Sequence, residues 1–210
     1  MTDADRALLA RRPDLAAIAG WVAPDSRILD LGCGDGMLLR YLWDQRRAYG
    51  YGVEIDDAKV GACVRNDVNV LQMNLESGLS SFQDGSFDCV ILSQTLQAVR
   101  HTEDIMREIL RVGREAIVSF PNFGHWVGRL QVLAGRMPVS DNLPYQWYDT
   151  PNVHLCTTKD FEDLCAKVGV RIKERIVLHD GRTVSFLPNL RGSTAVYRCT
   201  ARFTARFTTD

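Results

Sequence analysis

In the run RILDLGCGDGMLLRYL, Arg27 to Leu42, three glycines and two aspartates fall within seven residues between apolar stretches. Residues without a Cβ at a strand-to-helix junction let backbone N–H groups approach a ligand at the positive end of a helix. The spacing is GxGxG, at Gly32, Gly34 and Gly36, with Asp30 just before it inside the strand. Asp30 and Asp35 would repel a pyrophosphate and suit a cationic or zwitterionic ligand instead. Glu54 follows 22 residues after Gly32, and Asn74 another 20 residues on. In an open parallel sheet, an acid ending the second strand accepts hydrogen bonds from ribose hydroxyls, and strand ends spaced in this way line up along one carboxyl edge.

Chemistry beyond holding a ligand needs a base or a nucleophile. The histidines are His101, His125, His154 and His179, and Asp141 and Asp149 add carboxylates. His101 directly precedes a capped helix and His179 belongs to an Asp-Gly turn, so solvent and turn geometry account for both. His125 and His154 bracket Phe123 to Cys156, a segment with Trp126, Tyr145, Trp147 and Tyr148 in which Pro138, Pro144 and Pro151 limit freedom. We expect residues 123–157 to form a lid or a partner-binding segment. Its aromatic residues have three uses: to bind an acceptor, to complete the core, or to anchor a protein partner. Arg11 and Arg12 flank the first helix, either near a ligand carboxylate or simply on the surface. The sequence assigns no catalytic residue.

The elements that would position these groups alternate. Leu15, Ile18 and Val22 recur at helical spacing up to Pro24, and RILDL reads as a strand. A helix on Met37, Leu38, Tyr41 and Leu42, a strand Tyr49 to Ile55, a helix Asp57 to Arg65 facing inward at Val60 and Val64, and a strand VNVLQMN follow. After a turn-rich piece, Leu75 to Gly85, come a strand SFDCVILS, a helix capped by Thr102 and stopped by Gly113, and a strand EAIVSFPN. A helix KDFEDLCAKVG capped at Thr157 or Thr158 precedes VRIKERIVLHD, which alternates at Val170, Ile172, Ile176 and Leu178. The last strand, STAVYRC, would pair with it as an antiparallel edge hairpin across the loop Asp180 to Gly192. Strands separated by helix-length segments imply right-handed crossovers and an α/β, doubly wound sheet, mostly parallel, with an antiparallel last strand.

With 210 residues, the chain suits one domain, expected over 1–200, with 201–210 as a tail carrying a repeated Thr-Ala-Arg-Phe. Twenty-five Lys and Arg against 26 Asp and Glu, spread along the chain, leave no nucleic-acid or polybasic membrane footprint. The start lacks the pattern of a secretory signal and no run of about 18 apolar residues occurs, so we expect a cytoplasmic protein. Six cysteines, at 33, 63, 89, 156, 165 and 199, have no CxxC spacing and read as small core hydrophobes, with no metal site.

LDLGCGDG, VEID, MNLESG and SFDCVILSQTLQAV together resemble the class I S-adenosylmethionine (SAM) dependent methyltransferases over about residues 15 to 200, a resemblance that implies a seven-stranded sheet. It implies that the backbone around Asp30 and Gly32 holds the methionyl ammonium, with Cys33 and Gly34 in the same loop and Ser93 at the fourth strand end. Glu54 would hold the ribose with Ile55 beside it, Asn74 the adenine amino group, and the Leu75 N–H a ring nitrogen. Many members carry Asp where this chain has Asn74, and an amide oxygen in its place costs about 1 kcal/mol of binding. Read together with SFPNFGHWVGRLQVLAGRMPVS, these motifs resemble the methionine-biosynthesis protein W (MetW) family over nearly the whole chain.

That resemblance implies SAM or S-adenosylhomocysteine (SAH) as cofactor and a homoserine O-acyltransferase as the partner supported or regulated. The alternative is a SAM-dependent methyltransferase of an unidentified small molecule, although SQTLQAV stands where an Asn-Pro-Pro-Tyr acceptor motif would be. A nicotinamide-dependent oxidoreductase is disfavoured by the acidic glycine loop.

Overall fold

Along β1 (Arg27–Leu31) side chains alternate between two apolar clusters, with Ile28 in one and Leu29 and Leu31 in the other. Val90 and Ile91, Ala116 and Ile117, and Ala195 and Val196 divide in the same way, because successive strand residues point to opposite faces. The sheet therefore has a core on each side, and its central strands read as continuous apolar runs. The computed structural model describes residues 3–140 and 143–201.

After α1 (Asp3–Arg11) and α2 (Pro13–Trp21), β1 leads through α3 (Met37–Arg46), β2 (Tyr49–Glu54) and α4 (Asp57–Arg65) to β3 (Val70–Gln72). Next come β4 (Phe87–Ser93), α5 (Thr102–Val112), β5 (Gly113–Pro121), α6 (Trp126–Leu133) and α7 (Thr158–Val168). The chain continues through β6 (Val170–His179), β7 (Arg182–Thr183), α8 (Pro188–Arg191) and β8 (Thr194–Ala201). The strand order is β3-β2-β1-β4-β5-β8-β6-β7. The first five are mutually parallel, and β8 runs antiparallel between β5 and β6. The seven expected strands are present. The eighth, β7, is a two-residue return made by the Asp180-Gly181 turn, where both residues have positive φ. Strand order reverses between β1 and β4, which sets the end of β1 and the end of β4 on either side of a crevice.

α2 and α3 pack Leu15, Ile18, Leu38 and Leu42 on one face, and α5 and α7 pack Ile105, Met106, Ile109 and Phe161 on the other. Each such fully buried side chain contributes roughly 1.5–3 kcal/mol. Thr157 caps α7 in a reciprocal box with Asp160, as its position suggests.

Several local expectations are corrected. α4 turns Cys63 inward, leaving Val64 exposed and Val60 half-buried. Thr102 lies inside α5, where its hydroxyl donates to the Val99 carbonyl, and His101 occupies the cap position. In β6 a register shift between Ile172 and Glu174 moves the later residues by one. Val170 and Ile172 therefore share a face with Val177, while Ile176 and Leu178 join the opposite core, as a bulge requires. The strand predicted over 68–74 pairs only at Val70–Gln72. The Thr-Ala-Arg-Phe repeat lies almost wholly outside the described residues, with Thr200 and Ala201 ending β8. Among the described residues no helix is long and apolar enough to cross a membrane.

Candidate functional site

The turn from β1 into α3 is bonded on every side. Gly32 and Cys33 N–H both donate to the Val53 carbonyl at the end of β2, at 2.8 and 3.1 Å. Gly34 N–H donates to Glu54 Oε2 at 3.0 Å, and Glu54 Oε1 accepts from Ile55 and Asp56 N–H at 2.8 and 3.1 Å. Cys63 Sγ donates to the Gly34 carbonyl and Asn66 Nδ2 to that of Asp35. Gly32 has φ +74°, and a Cβ there would stand 2.4 Å from Thr95 Oγ1, so close packing and backbone conformation both demand glycine. A Cβ on Gly34 would meet nothing within 4 Å, so this side of the loop faces open space. The loop is thus pre-formed, held open by α4 and by the acid at the second strand end.

Beside it lies a cavity of about 630 Å³ lined by Asp30, Gly32, Cys33, Gly34 and Ser93 from the predicted set, and walled by Leu8, Arg12 and Leu15 from α1, α2 and the residue between them. Asp30 is 2% exposed and its Oδ1 has no hydrogen-bond partner. Burial pushes its carboxyl up to about 7; the Arg12 guanidinium offsets part of this and the Glu54 carboxylate adds to it. A buried carboxylate oxygen without a partner, beside an open glycine loop, fits a ligand bearing an ammonium group. The remaining predicted residues, Glu54, Ile55, Asn74 and Leu75, do not line this cavity. They end β2 and follow β3 along the same sheet edge, where Glu54 pairs in register with Gln72. Asn74 Oδ1 accepts from Glu76 N–H at 3.0 Å and so caps the single turn Leu75–Ser77, which leaves its amide N–H groups uncommitted.

Sequence reasoning missed Asp14 and Ser119. Arg12 makes a two-pronged pair with buried Asp14, Nε to Oδ1 at 2.9 Å and Nη2 to Oδ2 at 2.8 Å, and also donates to Ser93 Oγ at 2.8 Å. Ser119 Oγ donates to Asp14 Oδ2 at 3.1 Å. This cluster ties the α1–α2 junction to the ends of β4 and β5. The Pro13-Asp14 pair reads in sequence only as a helix start, and its inward direction depends on how α2 lies on the sheet. Across Arg12 from the first cavity is a second, of about 320 Å³, lined by residues including Gln94, Gln97, Tyr145 and Asn152, with Arg11 and Arg12 bordering both.

No histidine lines either cavity. His154 bonds the Arg100 carbonyl, His101 is exposed near Glu76, and the His125 and His179 rings pack at a tilt with centroids 4.8 Å apart. Burial and the neighbouring His179 ring lower the His125 pKa, which favours its neutral form. Asp141 lies outside the described residues, and Asp149 is exposed. In the segment 123–157, α6 buries none of its residues, and Trp147 and Tyr148 are 72% and 71% exposed, stacked edge-to-face at 5.7 Å. These side chains do not complete the core. The segment is pinned to the sheet edge by Val153 and His154 N–H, which both donate to the Gln97 carbonyl. Of the six cysteines, five are buried and Cys156 is half-buried, all as free thiols.

Comparison with known proteins identifies the fold and the family. Solved structures with the same fold include a SAM-dependent methyltransferase from Thermotoga maritima, a possible histamine N-methyltransferase, with a TM-score of 0.64, 20% identity and 94% of each chain covered. A putative S-adenosylmethionine dependent methyltransferase from Listeria monocytogenes gives a TM-score of 0.68 at 15% identity, covering 93% of this chain and 99% of that one. The sheet and its helices therefore form the fold of the class I SAM-dependent methyltransferases. The sarcosine/dimethylglycine N-methyltransferase of Halorhodospira halochloris is 28% identical over 78% of this chain and 60% of its own length. The bifunctional methionine biosynthesis protein MetXA/MetW of Rhodopirellula baltica is 36% identical over 87% of this chain, which spans about a third (32%) of that longer protein. The profile of the methionine biosynthesis protein MetW matches residues 12–199, and the chain belongs to that family.

Proposed function

We propose that this protein binds SAM or SAH in the cavity beside the glycine loop and associates with a homoserine O-acyltransferase, which it supports or regulates. The observation that carries the reading is the exposed pair Trp147 and Tyr148, in a segment whose Tyr145 and Asn152 line a cavity that shares Arg11 and Arg12 with the one beside the glycine loop. The Rhodopirellula relative, whose name joins MetXA to MetW in one chain, supports such a partnership. In this reading Asp30 and the Gly32 backbone receive the methionyl ammonium, with Cys33, Gly34 and Ser93 around it. Glu54 receives the ribose beside Ile55, and Asn74 and the Leu75 N–H receive the adenine. When bound, SAM supplies an electrophilic methyl group, and its demethylated product reports the state of the methyl pool.

The test is to mix the purified chain with the acyltransferase of its host and measure co-sedimentation and acyl-transfer rate, with and without SAH. A stable complex whose rate responds to SAH is expected; no complex and an unchanged rate would refute the proposal.

The second cavity favours a second reading, a SAM-dependent methyltransferase of a small molecule. The Halorhodospira relative, named for sarcosine and dimethylglycine, supports it. Incubation with methyl-labelled SAM and a host metabolite extract should then yield a labelled product that Glu54→Ala abolishes.

A further inference from the structure

The second cavity shares Arg11 and Arg12 with the first but differs in chemistry. Its charged lining is Arg11, Arg12 and Asp14. Asp14 is spent on Arg12, with both of its oxygens within 2.9 Å of the guanidinium nitrogens. Arg11 has no hydrogen bond or ion pair among the described residues, so the cavity carries one uncompensated cation. Nearby, Gln97 donates from Nε2 to the Gln94 carbonyl at 2.7 Å, while its Oε1 is buried without a partner. A buried amide oxygen lacking a donor is costly, roughly 1–3 kcal/mol, unless something else supplies that donor. The lining thus holds one free positive group and a residue, Gln97, whose buried oxygen lacks a donor, and Asn152 and Tyr145 extend its polar wall. At about 30 Å³ per water-sized unit, 320 Å³ accommodates a ligand of roughly ten non-hydrogen atoms.

We infer that this cavity binds a small amino acid, with its carboxylate on Arg11 and its amine directed to Gln97 Oε1, beside the cofactor and separately from it. The inference rests on the cofactor reading above in taking the larger cavity, beside the glycine loop, for the amino-acid end of the cofactor. That assignment leaves the smaller one for a second molecule.

The experiment titrates protein saturated with SAH against L-serine, L-serinamide and 3-hydroxypropionate by calorimetry, after SAH binding has itself been measured. L-serine is expected to bind, and removing either the charge of its carboxylate (serinamide) or its amine (3-hydroxypropionate) to weaken binding at least fivefold. Asn152→Asp adds a charge to this cavity alone and should weaken L-serine at least fivefold while leaving SAH affinity within twofold. Arg11→Gln removes the anchor and should weaken L-serine at least tenfold; both positions are surface-accessible enough for the variants to fold. No L-serine binding to the SAH-loaded protein, equal binding of serinamide, or unchanged L-serine affinity in either variant would overturn the inference. Failure of SAH to bind in the first titration would instead remove the cofactor reading.

Discussion

Asp30→Asn isolates the energetic cost of the proposed binding site. In the folded chain burial holds the Asp30 carboxyl at about 7 against an ordinary 3.8. A carboxyl raised in this way prefers to stay protonated when folded, so its contribution is most favourable below the unfolded value. It is lost as the pH climbs from about 4 to about 7 and is constant above. The full loss is about 4 kcal/mol, of which about 3 kcal/mol falls between pH 5 and pH 8. Asparagine has the same shape and no charge, so the stability difference between variant and wild type should grow by about 3 kcal/mol over that interval. The assay is urea denaturation of the ligand-free proteins at pH 5 and pH 8, and comparing differences cancels the titrating groups that are not coupled to Asp30. SAH affinity should move the opposite way, rising toward pH 8 in wild type as Asp30 ionises, and becoming at least tenfold weaker and flat with pH in the variant. A stability difference that is the same at both pH values would refute the buried charge, and an unchanged SAH affinity would refute its role.

Trp147→Ala with Tyr148→Ala should change stability by less than about 0.5 kcal/mol, both side chains being exposed, yet weaken acyltransferase binding at least tenfold by sedimentation. Glu54→Gln replaces one acceptor of the Gly34, Ile55 and Asp56 N–H groups with a donor, and should cost about 1.5–3 kcal/mol in urea melts together with SAH affinity. Arg111→Lys, far from the cavities, loses guanidinium bonds to the Leu79 and Phe82 carbonyls and to Asp84 and should cost about 1–2 kcal/mol with SAH affinity intact.

Periodicity locates most helices and strands of this fold, because each core strand and each amphipathic helix carries its own pattern. The failures are local and have physical causes. α1 has few inward apolar residues, and α6 has none buried, so neither presents a stripe to read. The bulge in β6 breaks the period of two that would otherwise place Ile176 and Leu178 with Val170. At the site, the glycine loop and the acid at the second strand end were legible because their spacing follows from strand and helix lengths. Asp14 and Ser119 were not, because 105 positions separate two groups that meet only when α2 crosses the ends of β4 and β5.

Of the five buried side-chain atoms without a hydrogen-bond partner among the described residues, two belong to residues that line the two cavities. Asp30 is buried with an oxygen unpartnered, Gln97 Oε1 likewise, and Glu54 adds repulsion to Asp30. A core without a ligand gains nothing from two such acceptors, since apolar residues of equal volume would be at least as stable. An ammonium group arriving at Asp30 supplies the missing donor and a compensating charge together, and so converts a folding penalty into binding energy. On this argument SAH at one fixed concentration well above the wild-type Kd should raise the unfolding temperature of wild type more than that of Asp30→Asn, because the relieved penalty makes the wild-type Kd smaller. Equal increments in thermal scans of the two proteins at the same SAH concentration would show that the buried charge is structural and unrelated to the ligand.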